Sequence, residues 1–339
     1  MSREPRKGKR LRRLPAVALA LVLALTVAAC GEDGAGGGGG GEEATKISIA
    51  YQPGIGYAPL LLAKQEKWLE QGLPGVQIEW RQLDSGAAIR DGILSGDIQV
   101  GSGGLGPFLV GWAKGIDWKI ISTMENMDLW LMAKDEKYQT LEDFKDGGKI
   151  AMPAPDSIQA VVLRRAAENE LGDATALDEN IVSLGHPDGL QALLSGQLAG
   201  HLTSPPFEFQ EQDKGARQVI TSYDAFGGPH TFNSVFMREG FHDSNPKAAD
   251  LLAKSIARGV AMLRDEPKKA AAILSEESGG ANSAKEFEDY ITNEAVEYTT
   301  EPNGFVKIAQ FMKEIELIEK APEDWKELVF DNLAQGNGS

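Results

Sequence analysis

The chain has 339 residues, enough for about two domains with full cores, and its 42% hydrophobic and 25% charged residues exclude a disordered or fibrous protein. The net charge is −16, yet residues 1–30 hold seven Lys/Arg against one Glu, so the remainder carries −22. That acid excess excludes nucleic acid as a partner, because phosphate binding needs Lys/Arg to displace counterions. A single cysteine, Cys30, excludes a disulfide framework or a cysteine-built metal cluster.

Arg3–Arg13 form a basic block, and Leu14–Ala29 an apolar run of 16 residues, short of the ~20 a membrane-spanning helix needs. This is the pattern of a signal peptide over residues 1–30. It ends Val27-Ala28-Ala29-Cys30, small residues directly before the cysteine, and so resembles the lipobox of bacterial lipoproteins, whose cysteine is lipidated. Residues 31–45, with six consecutive glycines at Gly36–Gly41, cannot build a core and are expected to act as a flexible tether. The sequence therefore predicts an exported protein, lipid-anchored at Cys30 to the outer face of the bacterial cytoplasmic membrane, on its periplasmic or cell-wall side.

From Lys46 onward, strand and helix patterns alternate. Strands are expected at Lys46–Tyr51, Val76–Gln82 and Ile98–Gly101, with helices at Pro59–Gln71 and Ala87–Ser95 between them. A second set follows: strands Lys149–Met152, Ile181–Leu184 and Gly200–Thr203, helices Ser157–Leu171 and Asp188–Ser195. Such alternation predicts an α/β fold of two lobes, each a mainly parallel sheet flanked by helices. Ile93-Leu94-Ser95-Gly96 recurs as Leu193-Leu194-Ser195-Gly196, in each case closing a helix and entering a short strand, which supports two similar lobes. Leu129–Lys134 and Thr231–Met237 are then two crossings that form a hinge, and helices 246–263, 267–276, 284–293 and 304–318 complete the chain. The predicted division is residues 46–129 with 232–339 as one lobe and 130–231 as the other.

Gly101-Ser102-Gly103-Gly104-Leu105-Gly106 satisfies G-x-G-x-x-G, a dinucleotide-binding signature. It follows the third strand rather than the first and lacks a suitably spaced acid, so it is expected to be a polar-ligand cradle of backbone N–H groups at a helix start, with no cofactor. Pro155-Asp156-Ser157 places Asp156 or Ser157 as the cap of the next helix. Thr203-Ser204-Pro205-Pro206 lies at the matching edge of the second lobe. Catalytic patterns are missing: no G-x-S-x-G, no H-E-x-x-H, and four dispersed histidines, of which His186 and His201 could meet only in three dimensions. No metal site and no enzyme activity are expected. Tyr57 and Trp130 are the aromatics best placed to face a ligand.

Several segments together resemble the nitrate/sulfonate/taurine family of periplasmic binding proteins, which includes thiamine-pyrimidine-precursor binders. They are Ile49-Ala50-Tyr51-Gln52 with Tyr57-Ala58-Pro59, the 101–107 run, Thr203–Phe207, Gly228-Pro229-His230-Thr231-Phe232-Asn233, and Ala321–Lys326. The resemblance spans residues 46–330, although Gln99 and Ala199 stand where the family usually has Asp. It implies the two-lobed type II periplasmic-binding-protein fold, with ligand in the cleft. It also implies ligand contacts from Gln52, Tyr57, Ser102, Gly103, Gly104, Leu105, Asp156, Ser157, Ile158, Gln159, Thr203, Ser204, Pro205, His230 and Asn233. The implied function is capture of a small polar molecule for an ABC importer, with a permease and its ATPase as partners and the binding protein a monomer. A ligand sensor of the same fold, or an enzyme relative that makes pyrimidine precursors, are the alternatives; the latter's cysteine-rich motif is absent. No Arg or Lys stands within these loops, so an anionic group would depend on helix N-termini and amides.

Overall fold

The computed structural model describes residues 43–339. The expected signal peptide, Cys30 and all but the last residues of the tether lie outside the described residues. The strands are β1 (Lys46–Tyr51), β2 (Gln77–Gln82), β3 (Val100–Gly104), β4 (Trp118–Thr123), β5 (Glu125–Met127), β6 (Trp130–Ala133), β7 (Ile150–Met152), β8 (Ile181–Ser183), β9 (Gly200–Leu202), β10 (Arg217–Thr221), β11 (Asn233–Arg238) and β12 (Val296–Tyr298).

They form two five-stranded sheets, β2-β1-β3-β11-β4 and β10-β6-β9-β7-β8, with β5 and β12 as a separate pair. Read from the other edge, the second sheet is β8-β7-β9-β6-β10, which matches the first strand for strand. Four strands of each sheet run the same way, and the one fourth in order (β11 or β6) runs antiparallel to them. That fourth strand is in each case the one supplied by the chain arriving from the other lobe. The repeated Ser-Gly turn belongs to this symmetry: Gly96 and Gly196 both end a helix in the left-handed region, at φ 83° and 75°.

The buried apolar side chains of both sheets and their flanking helices join in one contiguous core. In the first lobe Trp118 stacks on Phe108 at 5.2 Å and meets Phe236 edge-on at 5.0 Å, all three fully buried. The predicted helix Pro59–Gln71 is two helices, Ala58–Gln65 and Trp68–Gly72, because Lys67 takes a left-handed conformation that turns Trp68 and Leu69 inward. Strands β4, β5, β10 and β12 carried no readable signal. The largest departure is the glycine run. Gly101–Gly104 is not a loop: it belongs to β3, paired along its length with β11, so the amides expected to form a cradle are committed to the sheet.

The chain crosses between the sheets at residues 128–129 and again through 227–232. The crossings are tied to neighbouring segments: Asp128 Oδ1 accepts from Ser222 Oγ at 3.0 Å and from Tyr223 N at 2.9 Å, and Phe232 N donates to Glu125 O at 3.2 Å. The second crossing opens with Gly227 and Gly228, both at positive φ. No helix among the described residues is long and apolar enough to span a membrane.

Candidate functional site

Parallel strands in both sheets point their carboxyl ends at the same crevice, the usual location of ligands in open α/β sheets. Gln52 follows β1, Gly104 ends β3, Pro153 follows β7, His186 follows β8 and Thr203 follows β9. All but Thr203 line one small enclosed cavity of about 10 Å3, together with Tyr57, Pro107, Phe232 and, from the second lobe, Ser157, Ile158 and Gln159.

The lobes meet here because glycine leaves room. A Cβ on Gly106 would stand 2.6 Å from the Asp156 carbonyl oxygen and 3.0 Å from Ile158 N, and one on Gly104 would stand 2.8 Å from Ile158 Cγ2. The physical role of the G-x-G-x-x-G spacing is this close approach of one helix start to the other lobe's. Ser157 caps the helix Ile158–Leu171, its Oγ accepting from Ala160 N at 3.2 Å, which leaves the Ile158 and Gln159 amides free at the crevice. Asp156 is not the cap. Its carboxylate reaches across to Arg90 Nη1 at 2.6 Å, an ion pair that bridges the lobes at the cavity's rim.

In the first lobe the wall is a neutral network. Gln52 Nε2 donates to Tyr57 Oη at 2.7 Å, and Tyr57 Oη donates to Asn233 Oδ1 at 2.9 Å. Behind them Glu125 Oε1 accepts from Asn233 N at 3.0 Å. Burial pushes the Glu125 carboxyl well above the usual range, and burial, then Glu125, does the same to the Tyr57 phenol. In the second lobe His186 and His201 do meet, Nδ1 to Nε2 at 3.2 Å, and burial drives both imidazoles toward the neutral form, His201 to about 3.

The sequence-predicted residues do not all come together. Gln52, Tyr57, Gly104, Ser157, Ile158 and Gln159 line the cavity; Gly103, Asn233 and Thr203 stand directly behind it, Thr203 Oγ1 being 3.0 Å from His186 Nδ1. Ser102 and Leu105 are core: the Ser102 hydroxyl donates to Ala50 O at 2.7 Å and Leu105 is fully buried. Ser204 and Pro205 pack near Gly54, and Pro205 O accepts from Ile55 N at 3.3 Å. His230 lies elsewhere, in an open cavity of about 710 Å3 with Pro229, Gly304, Lys307 and Trp325, away from the strand ends. Trp130 also faces away, edge-on to Phe209 with its Nε1 donating to Asp128 at 3.1 Å. His186 and Arg90 were not predicted. The signal available for His186 was its place after a strand that mirrors β2; Arg90 had none.

No Lys or Arg lines the cavity, and among the described residues no group of three or more His, Cys, Asp or Glu could hold a metal ion. The arrangement offers amide and hydroxyl donors and no activated nucleophile. At about 10 Å3 the cavity has room for no more than about one water molecule in this arrangement, so a larger polar solute needs the lobes to part.

The NMT1-like family matches residues 40–275. The chain belongs to that family. The taurine-binding periplasmic protein of Escherichia coli is 24% identical over 314 residues, covering 86% of this chain and 94% of that one. Two solved structures share the NMT1-like chain's fold. The alkanesulfonate-binding protein of Xanthomonas axonopodis pv. citri, bound to MOPS, superposes with a TM-score of 0.65 at 18% identity, covering 82% and 93% of the two chains. The ligand binding component of an ABC-type import system from Staphylococcus aureus, with zinc bound, gives 0.67 at 16%, covering 86% and 98%. The two-lobed periplasmic-binding-protein fold and the resemblance to taurine and sulfonate binders are borne out.

Proposed function

We propose that this protein captures a small polar solute in the interlobe cleft and delivers it to the permease and ATPase of an ABC importer. The solute is of the sulfonate, taurine, nitrate or pyrimidine-precursor kind. The observation that carries the reading is the cavity itself, built where strand carboxyl ends of two matching lobes converge and walled by neutral donors. The 24% identity to a taurine-binding protein over most of both chains supports the choice of solute class. Residues 46–129 with 232–339 and residues 130–231 are the two bodies that open and close, turning about the crossings near 128–129 and 227–232. Cys30 carries the lipid that holds the protein outside the membrane, free to act as a monomer.

The test is mass spectrometry of small molecules released on denaturing the purified protein, followed by calorimetry with taurine, ethanesulfonate and nitrate. Binding of at least one with dissociation constants in the micromolar range or tighter is expected. Failure of all three, with no co-purifying solute of this class, overturns the reading.

A further inference from the structure

Behind the second lobe's half of the cavity runs a chain of buried polar side chains that packing alone does not require. Gln159 Nε2 lies 3.3 Å from His186 Nε2, His186 Nδ1 lies 3.2 Å from His201 Nε2, and His201 Nδ1 lies 2.6 Å from Glu211 Oε1. All four are buried. Gln159 and His186 line the cavity, whereas His201 and Glu211 lie behind it.

A neutral imidazole has one donor and one acceptor nitrogen, so two of them in series can run in one of only two directions. If Glu211 donates, His201 accepts on Nδ1 and donates from Nε2, and His186 accepts on Nδ1 and donates from Nε2. Gln159 then receives that proton on its amide oxygen and turns its NH2 toward the cavity. If Glu211 accepts, every link reverses and Gln159 turns its oxygen to the cavity instead. A half-turn of the Gln159 amide exchanges its two ends at this contact; in the first direction the Thr203 hydroxyl shares the His186 Nδ1 lone pair with His201, and in the second its oxygen accepts from Nδ1–H.

The surroundings of Glu211 select the first direction. An ionised Glu211 would be a buried carboxylate with a single hydrogen bond and, among the described residues, no Lys or Arg ion-pair partner. The groups facing it are His201 from β9 and, one turn earlier in its own helix Phe207–Asp213, the buried Glu208, with Asp128 beyond. Charge at Glu211 therefore meets only more acid. Placing the proton on Oε2 would bury an O–H group with nothing to receive it, since Oε2 has no partner. On Oε1 the proton enters the 2.6 Å contact with His201. Burial acts the same way on both groups, raising Glu211 to about 9 and lowering His201 to about 3, so both are neutral at physiological pH.

We propose that Glu211, His201 and His186 form a one-way hydrogen-bond relay that makes Gln159 a specificity-determining N–H donor for an anionic oxygen of the sulfonate class. Gln159 touches the ligand; the other three are positioning residues. The ligand assignment rests on the cleft reading above, but the direction of the relay does not.

Two measurements test it. In protein labelled with 15N in the histidine rings, assigned by single His186→Asn and His201→Asn variants, Nε2 should be protonated and Nδ1 bare on both residues between pH 6 and 8. Protonated Nδ1 on both, or a charged ring, overturns the relay whatever the protein binds. Calorimetry with ethanesulfonate should show Glu211→Gln, whose amide can still donate to His201, within about threefold of the parent, and Glu211→Leu and Gln159→Leu each about tenfold weaker. Unchanged affinity in both leucine variants removes Gln159 as the donor. A parent protein that binds no sulfonate, yet shows the expected ring pattern, overturns the ligand assignment and leaves the relay's direction standing.

Discussion

Gly106→Ala tests whether the approach of the two lobes is coupled to binding. A methyl group at this position would stand 2.6 Å from Asp156 O and 3.0 Å from Ile158 N and Ser157 C, all of them backbone atoms of the other lobe. Carbon contacts relax at about 3.5 Å, so rotamer changes cannot relieve the overlap and the lobes must separate by the better part of an ångström. Overpacking of this kind costs ~1–3 kcal/mol. Felt only by the closed arrangement, that weakens ligand binding ~5- to 150-fold. Gly106 lies inside the helix Leu105–Ala113, where alanine is the better helix former by up to ~1 kcal/mol, so the urea midpoint should hold or rise. Gly185→Ala is the control at the same interface: its Cβ would meet Asp84 Cβ at 3.4 Å, an ordinary contact, and affinity should stay within twofold. Calorimetry with taurine or ethanesulfonate reads the loss, and X-ray scattering at ligand saturation reads the compaction. Unchanged affinity and compaction in Gly106→Ala would refute the claim that binding requires this approach.

Arg90→Gln removes the 2.6 Å bridge to Asp156 and should weaken binding about fivefold, ~1 kcal/mol, with the difference shrinking at high salt; equal affinity at low salt would deny the bridge a role in closure. Stability should fall as pH rises from ~6.5 to 9. Buried Glu125, Glu208 and Glu211 keep protons in the folded chain that the unfolded chain releases near pH 4–5, so their contribution is complete below that range and is lost as pH climbs toward their raised values. His186 and His201, held neutral by burial, act oppositely: their contribution is complete above ~6.5 and is lost on acidification. Glu211→Gln should therefore flatten the alkaline decline by up to ~1.4 kcal/mol per pH unit in urea titrations, and an unchanged slope would place that proton elsewhere. Cys30→Ser should leave the protein unprocessed or released into the soluble fraction; a processed variant that stays with the membrane would contradict lipidation at that residue.

What the sequence alone determined follows short-range rules. The order of strands and helices within 46–101 and again within 149–203, the Ser157 region as a helix start, and the twin Ser-Gly turns at Gly96 and Gly196 all come from periodicity, capping and glycine at positive φ, which act within a few residues. Tyr57 stood out as a loop aromatic, and the family resemblance marked Gln52 and Gln159 as candidates before any partner was visible. Only the tertiary structure decided the use of the glycine run. Val100–Gly104 has small residues because helix Gly86–Ser95, β11 and the other lobe all press against it, a demand that comes from segments far away in sequence. Strands β4, β5, β10 and β12 were illegible for the same reason, their extended form depending on partners distant along the chain. The relay belongs entirely to this second class. His186, His201 and Glu211 are separated by 15 and 10 residues, and they become one device only where β8, β9 and the helix after it converge, since a hydrogen bond depends on distance in space and leaves no period in the sequence.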